Sequence, residues 1–425
     1  MVSLKLFSFV ALIAYFVSSA ESAPICTISL DDLKEPLDTY IVILQTPSDS
    51  NEAANVVKSH FEILEGCAGK SITNIFGLSV LDGLTLDNLR NNPKNILNFS
   101  VKGLSVYTGK FTDSFVKNHL SILPEILSIR KDIKYQLNDA IFKDNLDRVD
   151  ERKFPLDGLY QSPDGKCQGA NVYVLDTGIN TGHTDFEGRA KFAAAVCTGC
   201  QKVDDNGHGT MVAGIVGGKQ FGVAKLVNLF AVKVLNAQGS GFLSELIMGI
   251  NFVVNEHENS QNKKTIINMS LGFGQRVEEA DRAVKNAHDR GVIVVVAAGN
   301  ENQDTCNVSP AAADGAIAVG ATELSNDKKA DFSNFGKCTD IFAPGRDIES
   351  ALFLSPVGSQ TASGTSFSAP HVAGAVACII AKEDLKPEAA ANKLYKLSTK
   401  NTVEGISSDT PNQFLFVKGS GPEKE

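Results

Sequence analysis

From about residue 165 onward the chain repeats one pattern, a short apolar run followed by a segment with helical spacing. The runs are NVYVLDTG (171–178), LVNLFAVKVL (226–235), TIINMSLG (265–272), VIVVVAAGN (292–300) and GAIAVGA (315–321). They read as near-continuous Val, Ile and Ala rather than as an alternation, so both faces of the pleat need cover, and a parallel sheet between layers of helices provides it. The intervening segments supply that cover. HGTMVAGIVGG (208–218) is a small-residue helix, FLSELIMGINFVVNEH (242–257) puts Leu246, Ile250, Val253 and His257 on one face, and RVEEADRAVKNAHDRG (276–291) is amphipathic and closed by Gly291. The predicted fold class is α/β, a doubly wound and mostly parallel sheet with helices on both faces.

At 425 residues the chain is too long for one ordinary domain. Its first 20 residues carry one lysine, Lys5, then an apolar run from Leu6 to Val17 and small residues at 18–20, the pattern of a secretory signal peptide. That run is too short for a membrane span, which needs about 20 residues, and no stable membrane insertion is expected. Residues 21–139 combine strand-like TYIVILQ (39–45), helix-like SNEAANVVKSHFEIL (50–64) and strand-like ILSIRKDIKYQL (126–137), a small α+β unit ahead of the 140–425 domain. The net charge of −9 and the absence of a dense basic run set nucleic acid aside as a partner.

In a doubly wound sheet the ligand crevice lies beyond the carboxyl ends of the strands. Three polar residues are delivered there: Asp176 after VYVL, His208 at the start of a helix in DDNGHGT, and Asn300 after VVVAAG. A fourth, Ser366, opens the helix in SGTSFSAPHVAG (363–374). Asp, His and Ser are what general-base activation of a hydroxyl requires, and Asn is a neutral donor suited to an oxyanion. At a helix start the serine hydroxyl is exposed to substrate, while free N–H groups and the helix dipole favour the developing negative charge. Gly364 permits close backbone approach there, and Pro370 is placed in the first turn, where a missing N–H costs little. Singly, each of the four is an ordinary turn or cap residue. A nucleotide-binding α/β domain is the rival, but no Gly-x-Gly-x-x-Gly turn follows the first strand.

These four stretches, VLDTGIN, NGHGT, AAGNENQD and SGTSFSAPHVAG, resemble the motifs of subtilisin-type serine proteases, nearest to the proteinase K and cerevisin branch, over about residues 145–417. The order Asp, His, Ser is that of subtilisin. The resemblance implies Ser366 as nucleophile, His208 as base then acid, Asp176 as the residue that orients the imidazole, and Asn300 as oxyanion donor. It implies substrate strands at Gly239, Ser240 and Gly241 and at Ser270, Leu271 and Gly272, with Ala297, Ala298 and Gly299 walling the primary side-chain pocket. Small and apolar walls predict cleavage after apolar or aromatic residues. A catalytically silent scaffold that binds proteins is the alternative. Two positions depart from the pattern, Met211 and Val212, and bring the packing beneath His208 into question.

The same resemblance implies that 21–139 is an inhibitory propeptide, with residues 77–103 as an insertion, removed by the enzyme's own serine so that the mature chain begins near 139–143. Protein and peptide substrates and the chain's own propeptide are the expected partners of a monomer. Localisation is extracellular, with a lytic vacuole as the alternative. No cofactor is required for the chemistry, and a structural calcium at Asp340 is allowed, with a solvated loop acid as the other reading. Cys306 and Cys338 are expected to pair. Cys26, Cys67, Cys167, Cys197 and Cys200 have no assigned partner, a zinc site at Cys197-x-x-Cys200 lacks a second ligand pair, and Cys378 is expected as a buried free thiol. Glycosylation sequons stand at Asn98, Asn268 and Asn307, with Asn268 discounted because a sugar there would block the cleft.

Overall fold

The computed structural model describes residues 38–45, 104–131, 134–136 and 145–419. The signal segment, the helix-like 50–64, the 77–103 insertion, Asn98, Cys26, Cys67 and the expected cleavage region 139–143 lie outside them. Strands β1 (Asp38–Gln45), β2 (Leu104–Phe111) and β3 (Ile126–Lys131) form an antiparallel sheet in the order β2-β1-β3. Next along the chain, β4 (Lys134–Gln136) pairs elsewhere.

The large sheet is built from β5 (Asn171–Asp176), β6 (Ala190–Ala195), β7 (Asn228–Lys233), β9 (Thr265–Met269), β10 (Ile293–Ala297), β11 (Ala316–Thr322), β12 (Ile341–Pro344), β15 (Thr399–Lys400) and β16 (Gln413–Phe414). Its order is β15-β16-β12-β11-β10-β9-β5-β7-β6, parallel throughout except where β15 meets β16. Strand β8 (Ser240–Phe242) receives β4, and β13 (Ile348–Ala351) forms a hairpin with β14 (Ser359–Ala362). Five helices matter below: α1 (His208–Gly217), α2 (Leu243–Asn259), α3 (Glu278–Asp289), α4 (Thr365–Lys382) and α5 (Pro387–Leu397).

The two-period of the strands divides the sheet's side chains between two cores. Val172, Val174, Ile266, Ile293, Val295 and Val319 face one side, where α1 and α4 pack; Tyr173, Leu175, Ile267, Met269, Val294 and Val296 face the other, under α2 and α3. Each fully buried Val or Ile contributes about 1.5–3 kcal/mol, which is why the apolar runs tolerate no polar face. This is the doubly wound arrangement expected from the sequence, and it sets the carboxyl ends of β5 and β10 beside the starts of α1 and α4. The small antiparallel sheet leans on α2 and α3: Ile43 joins their core, and Arg130 pairs with the buried Glu279 at 3.0 Å.

Two expectations about α4 need correction. Pro370 lies in the second turn, because the helix begins at Thr365. A proline there deprives the carbonyl four residues back, that of Ser366, of its helical donor, and the hydroxyl of Ser270 supplies one at 2.6 Å. Cys378 is bonded to Cys167, not a free thiol. The small residues Ala373, Gly374 and Ala377 bring the helix down into the core, where it meets the segment leading into β5. Cys306 is bonded to Cys338 and Cys197 to Cys200.

Gly374 fixes the distance between α4 and α1: a Cβ there would stand 2.8 Å from Val223 Cβ and 2.9 Å from the Val216 carbonyl. Gly374→Val should therefore cost about 1–3 kcal/mol or more by overpacking, lowering Tm by several degrees in a domain of this size. Calorimetry that finds an unchanged Tm would show that the two helices can move apart freely.

Candidate active site

Asp176 ends β5 with no solvent exposure, and its carboxylate reaches His208 Nδ1 with both oxygens, at 2.8 and 2.9 Å. A ring nitrogen held by a carboxylate carries the proton, so Nε2 is the basic nitrogen. His208 starts α1, and the approach of that helix to β5 is set by glycine: a Cβ on Gly209 would stand 2.1 Å from the Gly178 carbonyl oxygen. The His208 ring lies against the ring of Phe367, centroids 5.3 Å apart, and Phe367 is the chain neighbour of Ser366. Met211 and Val212 are accommodated, Met211 in a small cluster with Ile215, Ile348 and Phe367 and Val212 in the main core.

Ser366 is the second residue of α4. Gly364, which precedes the helix, has φ 151°, a conformation open only to glycine. The Ser366 hydroxyl donates to the Ser270 carbonyl at 3.1 Å, while the Ser270 hydroxyl donates to the Ser366 carbonyl. Asn268 Nδ2 in turn donates to Ser270 Oγ at 3.0 Å, with Asn268 fully buried, so its sequon is closed to a glycan in the folded protein. Asn300 follows β10, and its Oδ1 accepts from both the N–H and the hydroxyl of Thr365, at 2.8 and 2.9 Å. With the oxygen thus engaged, the Nδ2 donor is the free end of the amide, and Asn300 lines the same cleft as Ser366.

That cleft has a volume of about 420 Å³ including its open mouth. Ala297, Ala298, Gly299, Leu271, Val308 and Ala311 give it small, apolar walls, and Ser270 and Gly272 also border it. Glu301, an exposed acid, stands on the rim with Oε2 accepting from Asn334 at 2.8 Å. Gly239 turns the chain, at φ 67°, into β8, whose partner is already seated: Lys134 opposite Phe242, Tyr135 opposite Gly241 and Gln136 opposite Ser240, antiparallel.

Sequence reasoning missed the residues that organise this centre. Asp204 is buried, and its carboxylate accepts from Thr177 Oγ1 (2.9 Å), Asn206 N (3.1 Å), Gly207 N (2.8 Å), Thr210 N (3.0 Å) and the Thr210 hydroxyl, which locks the turn after β5 to the start of α1. Its signal was an Asp a few residues before a helix start. Thr365 flanks Ser366 and could have been found by asking what holds Asn300; Ser270, expected only in a substrate strand, also holds the Ser366 carbonyl. His371 is buried in α4 between the Phe367 carbonyl (2.7 Å) and Asn145 Nδ2 (2.8 Å), and burial pushes its pKa down to about 4, so it stays neutral.

Residues 168–415 match the model of the subtilase family. The chain is 39% identical over 347 residues to Subtilisin-like protease 3 of Saccharomyces cerevisiae, covering 76% of this chain and 72% of that one. It is 35% identical over 427 residues to Subtilisin-like serine protease Pen c 2 of Penicillium citrinum, covering 94% and 91%. A crystal structure of a cold adapted subtilisin-like serine proteinase superposes with a TM-score of 0.61 at 40% identity, over 65% of this chain and 98% of the other.

Asp340 is engaged within the chain: one oxygen accepts from the Ala318 N–H at 2.8 Å, the Tyr395 phenol also bonds the carboxyl, and burial raises its pKa to about 6. Among the described residues, Asp147, Glu151 and Asp157 are the carboxylates that gather within 4.8 Å, close enough to hold a cation together, and burial raises the pKa of Asp147 with its two neighbours adding to the effect. For Asp340 the folded pKa lies above the unfolded value, so the stability it contributes is full below the usual 3.8 and lost as pH rises through about 6. Asp340→Asn should remove that loss and stabilise the protein at pH 8 by up to about 3 kcal/mol. Thermal unfolding at pH 4 and pH 8 checks this; a variant destabilised at pH 8, in a parent whose Tm depends on calcium, would favour the metal reading.

Proposed function

The chain belongs to the subtilase family, and on that premise we propose a secreted serine endopeptidase that is made as a precursor and frees itself. Peptide-bond hydrolysis by a serine is the family's reaction; the assignment of each step to a residue is the proposal. Ser366 Oγ attacks the scissile carbonyl as His208 Nε2 takes its proton, and Asp176, on Nδ1–H, holds the ring and stabilises the imidazolium. The oxyanion accepts from Asn300 Nδ2 and the Ser366 N–H. His208 then gives its proton to the departing amine, and a water molecule repeats the sequence to release the acyl group from Ser366. The observation that carries this reading is the two-oxygen hold of Asp176 on His208 beside a serine at a helix start, with the Asn300 amide turned to the same cleft.

The small, apolar cleft walls support cleavage after apolar or aromatic residues, and the exposed Glu301 is on the rim and not at a buried floor. The 21–139 unit is read as the propeptide. Its strand β4 occupies β8 antiparallel, the way an extended substrate adds to an edge strand, and its sheet rests on α2 and α3. On the other side of the expected cut, Asn145 is bonded to His371, Arg148 is buried on Asp327 and Val149 enters the core. The cut would therefore fall between two anchored segments. The alignment with the Penicillium citrinum relative spans 94% of the chain, so most of this leading unit has a counterpart there. A monomer delivered outside the cell completes the reading, with a glycan at the exposed Asn307. Among the described residues no helix is long and apolar enough to cross a membrane.

Two experiments test this. Ser366→Ala should accumulate as a precursor that keeps residues 21–139, while the parent loses them and labels with a fluorophosphonate at Ser366. N-terminal sequencing that finds both forms cut at the same place, in a host without related proteases, would exclude self-processing, and a parent that resists the label would favour the silent scaffold. Asn300→Ala should lower kcat by about 10²–10³, the range known for loss of this donor in subtilisin, a relative within the family. A kcat equal to the parent's would remove Asn300 from the oxyanion site.

A further inference from the structure

Lys233 closes β7 level with Asp176 in the strand register, and its side chain has no exposure to solvent. A buried ammonium needs partners, and its two are unusual in lying on either side of the catalytic pair. Nζ donates to the Thr177 carbonyl at 2.6 Å and to Asp205 Oδ1 at 2.7 Å. Thr177 follows Asp176, and Asp205 lies three residues before His208. We propose that Lys233 and Asp205 form a positioning pair that holds His208 in register with Asp176. The proposal rests on the reading of those two residues as base and orienter.

Thr177 is where the two halves of the centre meet. Its N–H donates to Asp176 Oδ1 at 2.7 Å, its hydroxyl donates to Asp204 Oδ1 at 2.9 Å, and the same hydroxyl accepts from the Gly209 N–H at 3.0 Å. Its carbonyl, in a residue with no solvent exposure, takes Lys233. The preceding carbonyl, that of Asp176, accepts from the N–H groups of Val234 and Leu235 at 2.9 and 3.2 Å, so the end of β7 grips both peptide oxygens of this turn. An apolar side chain at 233 could fill the volume, but the Thr177 carbonyl would lose its donor inside the protein. Thr177 would shift to find another, carrying its N–H away from Asp176 Oδ1 and its hydroxyl away from Asp204. Both ends of the Asp176–His208 contact move in that event. The Asp176 carboxylate is committed to His208 and that of Asp204 to the loop before it, and Asp205, 40% exposed, is the counter-charge of the ammonium.

The test compares Lys233→Met, Lys233→Arg and Asp205→Asn with the parent, each titrated at Ser366 with a fluorophosphonate so that rates refer to mature molecules. For Lys233→Met, kcat should fall on the order of 10-fold to 10²-fold, the scale for a displaced catalytic group, with KM within about two-fold. The acid limb of its kcat/KM profile should move, and Lys233→Arg should recover part of both. Asp205→Asn should show a smaller loss of the same kind. Variants that lose thermal stability alone, with the parental kcat per titrated site and the parental acid limb, would overturn the proposal. If Lys233→Met does not fold, Asp205→Asn decides by itself, since that side chain is partly exposed and leaves no hole. A parent that fails to label at Ser366 would instead refute the underlying reading of the triad.

Discussion

The close contact of α1 with α4 is the constraint on which the rest depends. Two helices packed through ordinary side chains lie about 8–10 Å apart. Between these two helices a glycine lies at the contact, Gly374 of α4 against Val216 of α1 and Val223, while Gly214 and Gly217 let α1 approach Ser350 and Val227. Their N-terminal ends carry His208 and Ser366, so the packing of the helix bodies sets the separation of base and nucleophile. Asp176 enters from the end of β5 and Asn300 from just beyond β10, with β9 between the two strands. Each functional side chain thus stands on a rigid element, and none depends on a long loop for its place.

Rigid elements alone would leave the turns between them free. The remaining order comes from buried polar groups bonded to backbone and to one another. The Asp204 carboxylate gathers the loop before α1, the Thr365 hydroxyl and N–H fix the oxygen end of the Asn300 amide, and Ser270 exchanges hydrogen bonds with Ser366. Such groups are costly when unpartnered and directional when paired. They specify one arrangement of the turns, which is the preorganisation that lets fixed dipoles meet a charge that exists only in passing. Pro370 shows the logic at its smallest scale, because removing one N–H from the helix released one carbonyl to be held by the strand that borders the cleft.

The sequence made the local periods legible. Val172, Val174, Ile266 and Val295 announce buried strands by composition alone, and Asp176, His208, Asn300 and Ser366 are legible because their neighbours form motifs. What stayed hidden depends on partners distant along the chain. Nothing local to Cys378 points to Cys167, 211 residues away, and nothing local to Asp340 points to Tyr395. Pro370 was misplaced because the start of α4 is set by Gly364 and Thr365 meeting Gly345 and Asn300, not by the helix's own pattern. The edge strand β6 escaped because a short Ala-rich run carries little signal without its neighbours.

The bond between Cys167 and Cys378 has a topological meaning for a chain whose business is cutting chains. It joins the approach to the first strand of the large sheet to the far end of the nucleophile's helix, enclosing everything from β5 to α4 in one covalent circuit. A single scission anywhere in that circuit opens a loop without yielding two molecules, and the severed ends stay at each other's effective concentration. Asp176, His208, Asn300 and Ser366 all lie inside it. Self-digestion of a surface turn thus nicks the molecule without dispersing its catalytic residues, and a second cut is needed before any part can leave.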